Sequence, residues 1–387
     1  MDNINDNRFY NKHPGIFLVL LSVITYLMLD FLLGAIFIPD NPNQFRTYHP
    51  YYHHDLKPNV CVQTTWDAVN YYQMCTNSLG FRDEKIRTID LKTDKTRFLI
   101  IGDSHTEGVG LEFKDTFTGQ LIRMTDSAHY EFLNAGVVSY SPKLYYLKTK
   151  FLIEQVKLEF DHLIVFIDIS DIQNELAYEN FNPGKKIGLN IRLHNLNTFF
   201  KDHSLTWYAV QLYREKQKLR AFYKNANREV KNPKTDLYST FFSDFNNSEF
   251  LRDKAFHDIG SWYLNRKIFE KWGRKGLTLE SEYMQKLVLL CRKNNIKISI
   301  SIHPWPVQIK YGDVNSIQVQ FWSKFAKFHK IGLINLFPVF FGLNQKFDVI
   351  KECYQKGDVH WNAKGSKIVA ETVLRYLEES YPDIQAH

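Results

Sequence analysis

The stretch "FLIIGDSHTEGVG", residues 98–110, decides how the rest of the chain is interpreted. Four apolar residues, a run typical of a buried strand, lead directly into Gly102, Asp103, Ser104 and His105. Open α/β sheets bind their ligands at the carboxyl ends of the strands, which is where these polar side chains would lie. The stretch therefore predicts a buried strand that ends in a turn carrying functional groups.

Further apolar runs alternate with helical patterns along the chain. The five predicted strands cover residues 97–102, 130–136, 161–169, 296–302 and 331–337. The predicted helices cover residues 113–125, 141–156 (with Ser141 as N-cap), 279–295 and 363–380. Strands that are apolar on both faces are typical of a parallel sheet covered by helices. We therefore predict an α/β fold, a three-layer α/β/α sandwich with a parallel, flavodoxin-like sheet.

An apolar segment near the start, residues 16–38, contains one charged residue, Asp30. At ~1.5 Å per residue a helix of this length spans the hydrocarbon core of a bilayer. We predict a transmembrane signal-anchor, with Asp30 near one interface or against a partner. Arg8 and Lys12 precede the segment, which favours a cytoplasmic N-terminus, residues 1–15, and an extracytoplasmic remainder.

Residues 39–76 combine four prolines with polar and aromatic residues, and we expect an extended extracytoplasmic linker. Cys61 and Cys75 are close enough in sequence to pair in an oxidising compartment, and buried free thiols are the alternative. His49, His53 and His54 match the spacing of no standard metal site, so no metal and no cofactor are predicted.

Residues 77–387 are predicted to form one domain, interrupted at about 175–280 by a basic, aromatic insertion. The formal net charge of the chain is +7, and the positive excess falls within this insertion. We interpret it as a solvated face or a surface for acidic glycans or lipid headgroups, and we predict no nucleic-acid partner.

Three kinds of chemistry compete for the Gly-Asp-Ser-His turn. Phosphate binding is disfavoured because neither G-x-G-x-x-G nor a P-loop is present. A metallohydrolase would use Asp103 and His105 with later ligands, for which Asp168, Asp171 and His360 are candidates. Nucleophilic catalysis by Ser104 needs a base and an orienting carboxylate. The late stretch "KGDVHWNAKG" supplies both, as His360 and Asp358.

The blocks "IGDSHTEGVG", "LNAGVVSYSP" and "DVHWNAKG" resemble, in this order, the SGNH (GDSL) hydrolase superfamily. The resemblance covers roughly residues 77–175 and 283–378. It implies that Ser104 is the nucleophile, His360 the general base and Asp358 its partner. It also implies that the backbone N–H groups of Ser104 and Gly136 form the oxyanion hole. The D-x-H-W form resembles the branch that includes polysaccharide O-acetyltransferases.

One block departs from the family pattern. Where the family has G-x-N-D, this chain has "DISD", with Ser170 in place of the asparagine and Asp168 in place of the glycine. We expect Ser170 to be the third oxyanion donor, and an ionised Asp168 facing the hole would oppose the oxyanion.

The resemblance and the anchor together predict a membrane-anchored serine esterase or O-acyltransferase that acts through an acyl-Ser104 intermediate. Its predicted substrates are esters or acetylated carbohydrates at the surface of a bacterium. The predicted location is the cell membrane, with a single pass through residues 16–38. The alternatives are a catalytically weak or inactive glycan-binding relative and a metallophosphoesterase-like hydrolase.

Overall fold

A computed structural model describes residues 13–38, 44–67, 69–184, 189–214, 217, 261–263 and 266–385. The chain divides into two compact units. The first unit comprises residues 1–41 and 186–243, and the second comprises residues 42–185 and 244–387. Part of the predicted insertion at about 175–280, chiefly residues 218–260, lies outside the described residues.

The described strands are β1 (Arg46–His49), β2 (His53–Leu56), β3 (Cys61–Thr65), β4 (Tyr71–Thr76), β5 (Arg82–Asp83), β6 (Thr96–Ile101), β7 (Tyr130–Asn134), β8 (His162–Ile167), β9 (Lys297–Ile302) and β10 (Gly332–Asn335). The five strands predicted from apolar runs correspond to β6–β10. β6 begins and ends one residue before its predicted bounds, and the other four strands are shorter than predicted by one to three residues.

The described α-helices are α1 (Pro14–Phe37), α2 (Ser104–Glu107), α3 (Phe117–Met124), α4 (Pro142–Phe151), α5 (Asp171–Ala177), α6 (Leu189–His203), α7 (Arg266–Ile268), α8 (Arg274–Lys293), α9 (Pro306–Tyr311), α10 (Ile317–His329), α11 (Phe337–Asn344), α12 (Val349–Cys353) and α13 (Ala363–Glu378). Short 3-10 turns cover Phe113–Asp115 and Ser261–Tyr263, and π-helical turns cover Leu152–Val156 and Phe269–Gly273. The four predicted helices correspond to α3, α4, α8 and α13.

The main sheet has the strand order β10-β9-β8-β6-β7-β5-β4-β3. Neighbouring strands among β10, β9, β8, β6 and β7 pair in parallel, and β5, β4 and β3 extend the sheet with antiparallel pairs. The parallel part follows the flavodoxin-like order, in which the chain starts at an inner strand, crosses to one neighbour and then builds outward on the other side. The protein therefore has an α/β/α fold with a flavodoxin-like parallel sheet, as predicted, and an antiparallel extension that was not predicted.

Alternation along β6 explains why helices cover both faces of the sheet. Successive side chains of a strand point to opposite faces. Leu99 and Ile101 belong to a core cluster that includes residues of α4, α8 and α10. Phe98 and Ile100 belong to a second cluster with residues of α3, α11, α12 and α13. The central strand is fully buried because each face has its own apolar layer.

The segment 39–76 differs from the extended linker that its prolines suggested. Strands β1 and β2 pair as a hairpin, β3 and β4 join the main sheet, and Cys61 and Cys75 form a disulfide bridge. Phe45, Leu56 and Met74 are buried in the larger core cluster. The described part of this segment, from residue 44, folds as part of the second unit because its apolar side chains have core partners.

Two other local predictions need revision or completion. Ser141 makes no capping hydrogen bond at the start of α4, because its hydroxyl donates to Glu175 Oε2 at 2.7 Å instead.

Asp30 is buried within the first unit, where its carboxylate accepts hydrogen bonds from Ser204 and Thr206. A charge placed on an apolar helix therefore has polar partners from the same chain.

Breaking a buried ion pair tests whether the 39–76 segment contributes to the stability of the fold. Lys148 Nζ lies 2.7 Å from Asp55 Oδ1, and the Lys148 side chain is fully buried. Lys148→Met would leave the Asp55 charge buried without its partner, and we expect a loss of about 3–5 kcal/mol in unfolding free energy. Urea unfolding of the purified chain measures it. Lys150→Met, an exposed lysine of the same helix, is the matched control. Equal stability of the two variants would contradict this role of Asp55.

Candidate active site

The turn formed by Gly102, Asp103 and Ser104 is closely packed at the end of β6. A Cβ added at Gly102 would lie 2.1 Å from Thr106 Oγ1 and 2.9 Å from Phe166 Cβ, so only glycine fits there. Asp103 is the N-cap of α2, and its Oδ1 accepts a hydrogen bond from the His105 N–H at 3.0 Å. Asp103 therefore acts as a turn and cap residue. Ser104 is the first helical residue.

Arg82 secures the other end of this short helix. Its guanidinium is fully buried and donates hydrogen bonds to the backbone carbonyls of Glu107, Gly108 and Leu111. These carbonyls follow the last turn of α2, where backbone acceptors lack helical partners. Arg82, a residue of β5, therefore holds the loop that follows α2.

The loop before α13 brings the other two predicted residues to Ser104. His360 Nε2 lies 2.7 Å from Ser104 Oγ, and His360 Nδ1 lies 2.5 Å from Asp358 Oδ1. Asp358 Oδ1 also accepts hydrogen bonds from the backbone N–H groups of Val359 (2.6 Å) and His360 (3.2 Å). Residues about 250 positions apart therefore form a hydroxyl–imidazole–carboxylate chain with the geometry of a catalytic triad.

A cavity of about 140 Å³ opens beside the Ser104 hydroxyl. The residues that line it are Trp66, Asp103, Ser104, Val138, Ser139, Ser170, Gln173, Asn174, Trp305, Val359 and His360. Ser170, the predicted third oxyanion donor, is among them. The two indole rings and the two amide side chains were not part of the predicted catalytic set.

The structure does not bring Gly136 to this cavity. The Gly136 N–H donates to Asn134 Oδ1 at 3.0 Å, and an added Cβ would lie 2.6 Å from Thr106. Its prediction as an oxyanion donor is therefore wrong: Gly136 is needed for close packing against α2. Three residues later, Ser139 lines the cavity with a left-handed backbone, φ +63°. No described residue accepts a hydrogen bond from its N–H.

Asp168 does not face the predicted oxyanion site. Its Oδ2 accepts hydrogen bonds from His303 Nε2 at 3.0 Å and Trp305 Nε1 at 2.6 Å, away from the cavity. Its Oδ1 accepts the Ser170 N–H at 2.6 Å. The carboxylate thus lies beneath the site, where it orients the cavity wall residue Trp305 and the backbone of Ser170.

A buried imidazole balances this carboxylate. His105 Nδ1 lies 3.2 Å from Asp168 Oδ2, and its Nε2 hydrogen-bonds with the Val359 carbonyl at 3.0 Å. Burial alone would lower the pKa of His105, but Asp103 and Asp168 outweigh burial and raise that pKa to about 10. Burial alone would raise the pKa of Asp168, but the rings of His105 and His303 hold it well below its ordinary value. The two groups therefore form a buried ion pair at neutral pH.

Two groups of side chains have the composition of a metal site. The ligand atoms of His105, Asp168 and His303 lie within 4.8 Å of one another, as do those of Asp103, Asp168 and Asp171. In the first group, the contacts of Asp168 Oδ2 with His303 and Trp305 are ordinary hydrogen bonds. In the second, burial and the charges of Asp103 and Asp168 raise the pKa of Asp171 well above its ordinary value. Asp171 Oδ2 also accepts hydrogen bonds from the Tyr145 hydroxyl and the Asp168 N–H, so both groups contain ordinary hydrogen bonds of the protein.

The sequence reasoning missed three residues that shape the site. Trp66 came from the presumed linker, Ser139 was overlooked in favour of a glycine, and Arg82 was not considered as a site residue. The stretch "SIHPWP" after the fourth predicted strand predicts His303 and Trp305 as residues of the pocket wall. Trp305 lines the cavity, whereas His303 is buried outside its lining. The buried strand preceding Trp305 was the signal that located it.

No protein-family model and no curated protein sequence matches the chain. Among solved structures, it is similar to a putative lipolytic protein of the G-D-S-L family from Desulfitobacterium hafniense, with 13% identity and a TM-score of 0.37. That match covers 73% of this chain and 100% of the other.

Two further structures are esterases. The acetylxylan esterase Axe2 from Geobacillus stearothermophilus is 12% identical, with a TM-score of 0.38 and coverage of 75% of this chain and 96% of the other. The psychrotrophic esterase EstA from Pseudoalteromonas sp. is 11% identical, with a TM-score of 0.37 and coverage of 74% and 100%. Identities this low transfer neither an activity nor a substrate.

The His105–Asp168 pair predicts a specific pH dependence of stability. The pKa of His105 is raised above its ordinary value of 6.5, so its stabilisation is complete below about pH 6.5 and disappears towards pH 10. The unfolding free energy of the wild type should therefore exceed that of His105→Gln most at pH 6, and the difference should shrink up to pH 10. Thermal unfolding across this range measures it, with the exposed His129→Gln as control. A difference that is constant with pH would show that His105 is neutral in the folded protein.

Proposed function

We propose that this protein is a serine esterase or O-acyltransferase that works through an acyl-Ser104 intermediate. The observation that carries the proposal is the chain of contacts from Ser104 Oγ through His360 to Asp358 at a cavity. A serine hydroxyl is a weak nucleophile unless an adjacent base removes its proton, and that base needs an orienting carboxylate. All three groups are in hydrogen-bonding contact here.

The first half of the reaction follows from these positions. His360 Nε2 accepts the Ser104 proton as Oγ attacks the ester carbonyl, and Asp358 stabilises the imidazolium that forms. The oxyanion accepts hydrogen bonds from the backbone N–H groups of Ser104 and Ser139, and from the Ser170 hydroxyl. His360 then returns the proton to the departing alkoxide, which leaves as an alcohol and frees the acyl-enzyme.

The second half decides between hydrolysis and transfer. Water, or a hydroxyl group of an acceptor sugar, loses its proton to His360 and attacks the acyl carbonyl. Ser104 is released with the proton that His360 gives back. Both reactions use the same residues of this chain, and only the attacking hydroxyl differs.

We further propose acetylated carbohydrate as the substrate class. The indole rings of Trp66 and Trp305 line the cavity beside Ser104, together with the amides of Gln173 and Asn174. Aromatic rings offer apolar faces to sugars, and amides supply hydrogen bonds to hydroxyl groups. A cavity of about 140 Å³ suits a short acyl group better than a long lipid chain.

Covalent labelling tests the proposed nucleophile. The full chain, purified in detergent, should react with a fluorophosphonate probe in the wild type, and Ser104→Ala should abolish labelling. His360→Asn should slow it by about 10³-fold or more, because the hydroxyl then lacks its base. Ser139→Gly keeps the proposed oxyanion N–H and relieves the left-handed strain, so it should label at least as fast as the wild type.

Folding controls make the labelling result decisive. Each variant is compared by thermal unfolding, and release of acetate from acetylated xylan measures turnover. A folded wild-type protein that shows no Ser104-dependent labelling would contradict the esterase and favour the glycan-binding alternative. Metal found in stoichiometric amount, with hydrolysis that survives Ser104→Ala, would favour the metallophosphoesterase-like alternative.

We also propose that α1 anchors the protein in the cell membrane with the catalytic unit outside the cytoplasm. By length and composition, Pro14–Phe37 qualifies to cross a membrane, with a mean hydropathy of 2.5. The disulfide bridge between Cys61 and Cys75 supports an oxidising location.

The anchor is tested by fractionation of bacterial cells expressing the chain. The protein should stay in the membrane fraction after extraction with alkaline carbonate, because an embedded apolar helix is not removed by pH or salt. Protease added to spheroplasts should degrade the catalytic unit, whereas a cytoplasmic marker protein should remain intact. Release by carbonate, or protection from the protease, would contradict the proposed anchor or its orientation.

A further inference from the structure

Trp66 contacts the triad from outside the predicted catalytic set. It directly follows β3, and its indole Nε1–H donates a hydrogen bond to Asp358 Oδ2 at 2.8 Å. The indole ring also meets the His360 ring nearly edge to face, with centroids 5.1 Å apart. The donors to the other carboxylate oxygen, Oδ1, are His360 Nδ1 and two backbone N–H groups. Trp66 therefore contacts the carboxylate oxygen of Asp358 other than the one bound by His360.

We propose that Trp66 is a positioning residue of the triad and that the Cys61–Cys75 bridge holds it in place, so that activity depends on oxidation of this hairpin. The inference rests on the proposed serine mechanism and adds a residue and a form of regulation to it. We call β3, β4 and the disulfide between them the bridged hairpin.

The bridged hairpin lies at the edge of the main sheet. Among the described strands, β3 pairs with β4 alone, in a register that places Cys61 opposite Cys75 and Thr65 opposite Tyr71. An edge strand lacks half of the hydrogen bonds that secure an inner strand. The covalent bridge closes the open end of the hairpin and so limits its separation from the sheet. Trp66 sits at the other end, where the hairpin turns.

Asp67 fixes the turn itself. Its Oδ1 accepts hydrogen bonds from the N–H groups of Val69 at 2.9 Å and Asn70 at 2.7 Å. Its Oδ2 accepts another from Asn70 Nδ2 at 2.6 Å. Such an Asx turn restricts the backbone next to Trp66. The indole is thus held from both sides, by β3 before it and by the Asx turn after it.

The expected effect on chemistry follows from the role of Asp358. The carboxylate must stay in the plane of the His360 ring to keep the ring's Nε2 directed at Ser104. Without the indole donor, Asp358 Oδ2 would turn to solvent, and His360 would lose part of its orientation. A hydrogen bond to a charged group is strong enough that its loss is expected to slow acylation by about tenfold or more.

The first experiment compares Trp66→Phe with Tyr71→Phe in the full chain. Phenylalanine keeps an aromatic ring in the cavity wall and removes only the N–H donor, whereas Tyr71 is an exposed residue of the same hairpin. The measured quantities are the rate constant of fluorophosphonate labelling and kcat and KM for an acetyl ester. We expect Trp66→Phe to lower the labelling rate and kcat about tenfold or more with KM nearly unchanged. Tyr71→Phe should behave as the wild type.

The second experiment tests the bridge. Cys61→Ser with Cys75→Ser, and the wild type treated with a thiol reductant, should both label more slowly than the oxidised wild type. The two remaining cysteines, Cys291 and Cys353, are buried thiols, so reductant has no other disulfide to reduce among the described residues. Adding Trp66→Phe to the double serine variant should cause little further loss, because both changes remove the same contact.

The outcomes separate this inference from the proposed function. If the folded wild type carries no Ser104-dependent label, the proposed serine mechanism fails. If the wild type is labelled and Trp66→Phe is labelled at the same rate, the mechanism stands and the inference about Trp66 is overturned. Fully additive losses in the triple variant overturn the link between the bridge and Trp66.

Discussion

The parallel pairing of β6 with its two neighbours is the constraint on which the site depends. Ile100 lies opposite Asn134 on β7, and Ile101 lies opposite Val165 on β8. The three strands run in the same direction and end at one edge of the sheet, with β8 continuing beyond this pair to Ile167, so the turns that follow them share that edge. Ser104, Ser139 and Ser170 line the same cavity because each follows one of these strands within a few residues. The register of the strands therefore determines where the cavity lies.

The buried ion pair explains how a carboxylate can be tolerated where the SGNH pattern has a glycine. Asp168 follows β8 and points below the cavity, where donors from His105, His303 and Trp305 converge on it. An isolated charge at this depth would be costly, and a partner of opposite charge with additional hydrogen bonds offsets that cost. The same histidine that makes the "GDSH" turn look like a metal motif therefore supplies the compensating cation. The oxyanion site above it is spared a facing negative charge.

Much of the fold, but less of the site, could be predicted from the sequence. Strands β6–β10 were predictable because inner strands of a parallel sheet are uniformly apolar. Strands β3 and β4 were not, since edge strands such as "CVQTT" mix polar and apolar residues, and nearby prolines suggested an extended linker. Ser104, His360 and Asp358 were found by residue type and order. Gly136 was chosen as an oxyanion donor because glycine suggests an exposed, permissive backbone, whereas Gly136 is packed and the left-handed residue that lines the cavity is Ser139.

Asp168 and Asp358 are held in physically different ways, and this difference separates stability from rate. Asp168 is buried with a cationic partner, so the interactions around it belong mainly to the folding energy of the domain. Asp358 is held by neutral donors, the indole of Trp66 and backbone amides, which leave its charge available to an imidazolium. Neutral donors orient a carboxylate without neutralising it. A charged partner at Asp358 would compete with His360, which is why an indole from a disulfide-bridged hairpin suits this position better than an arginine or a lysine.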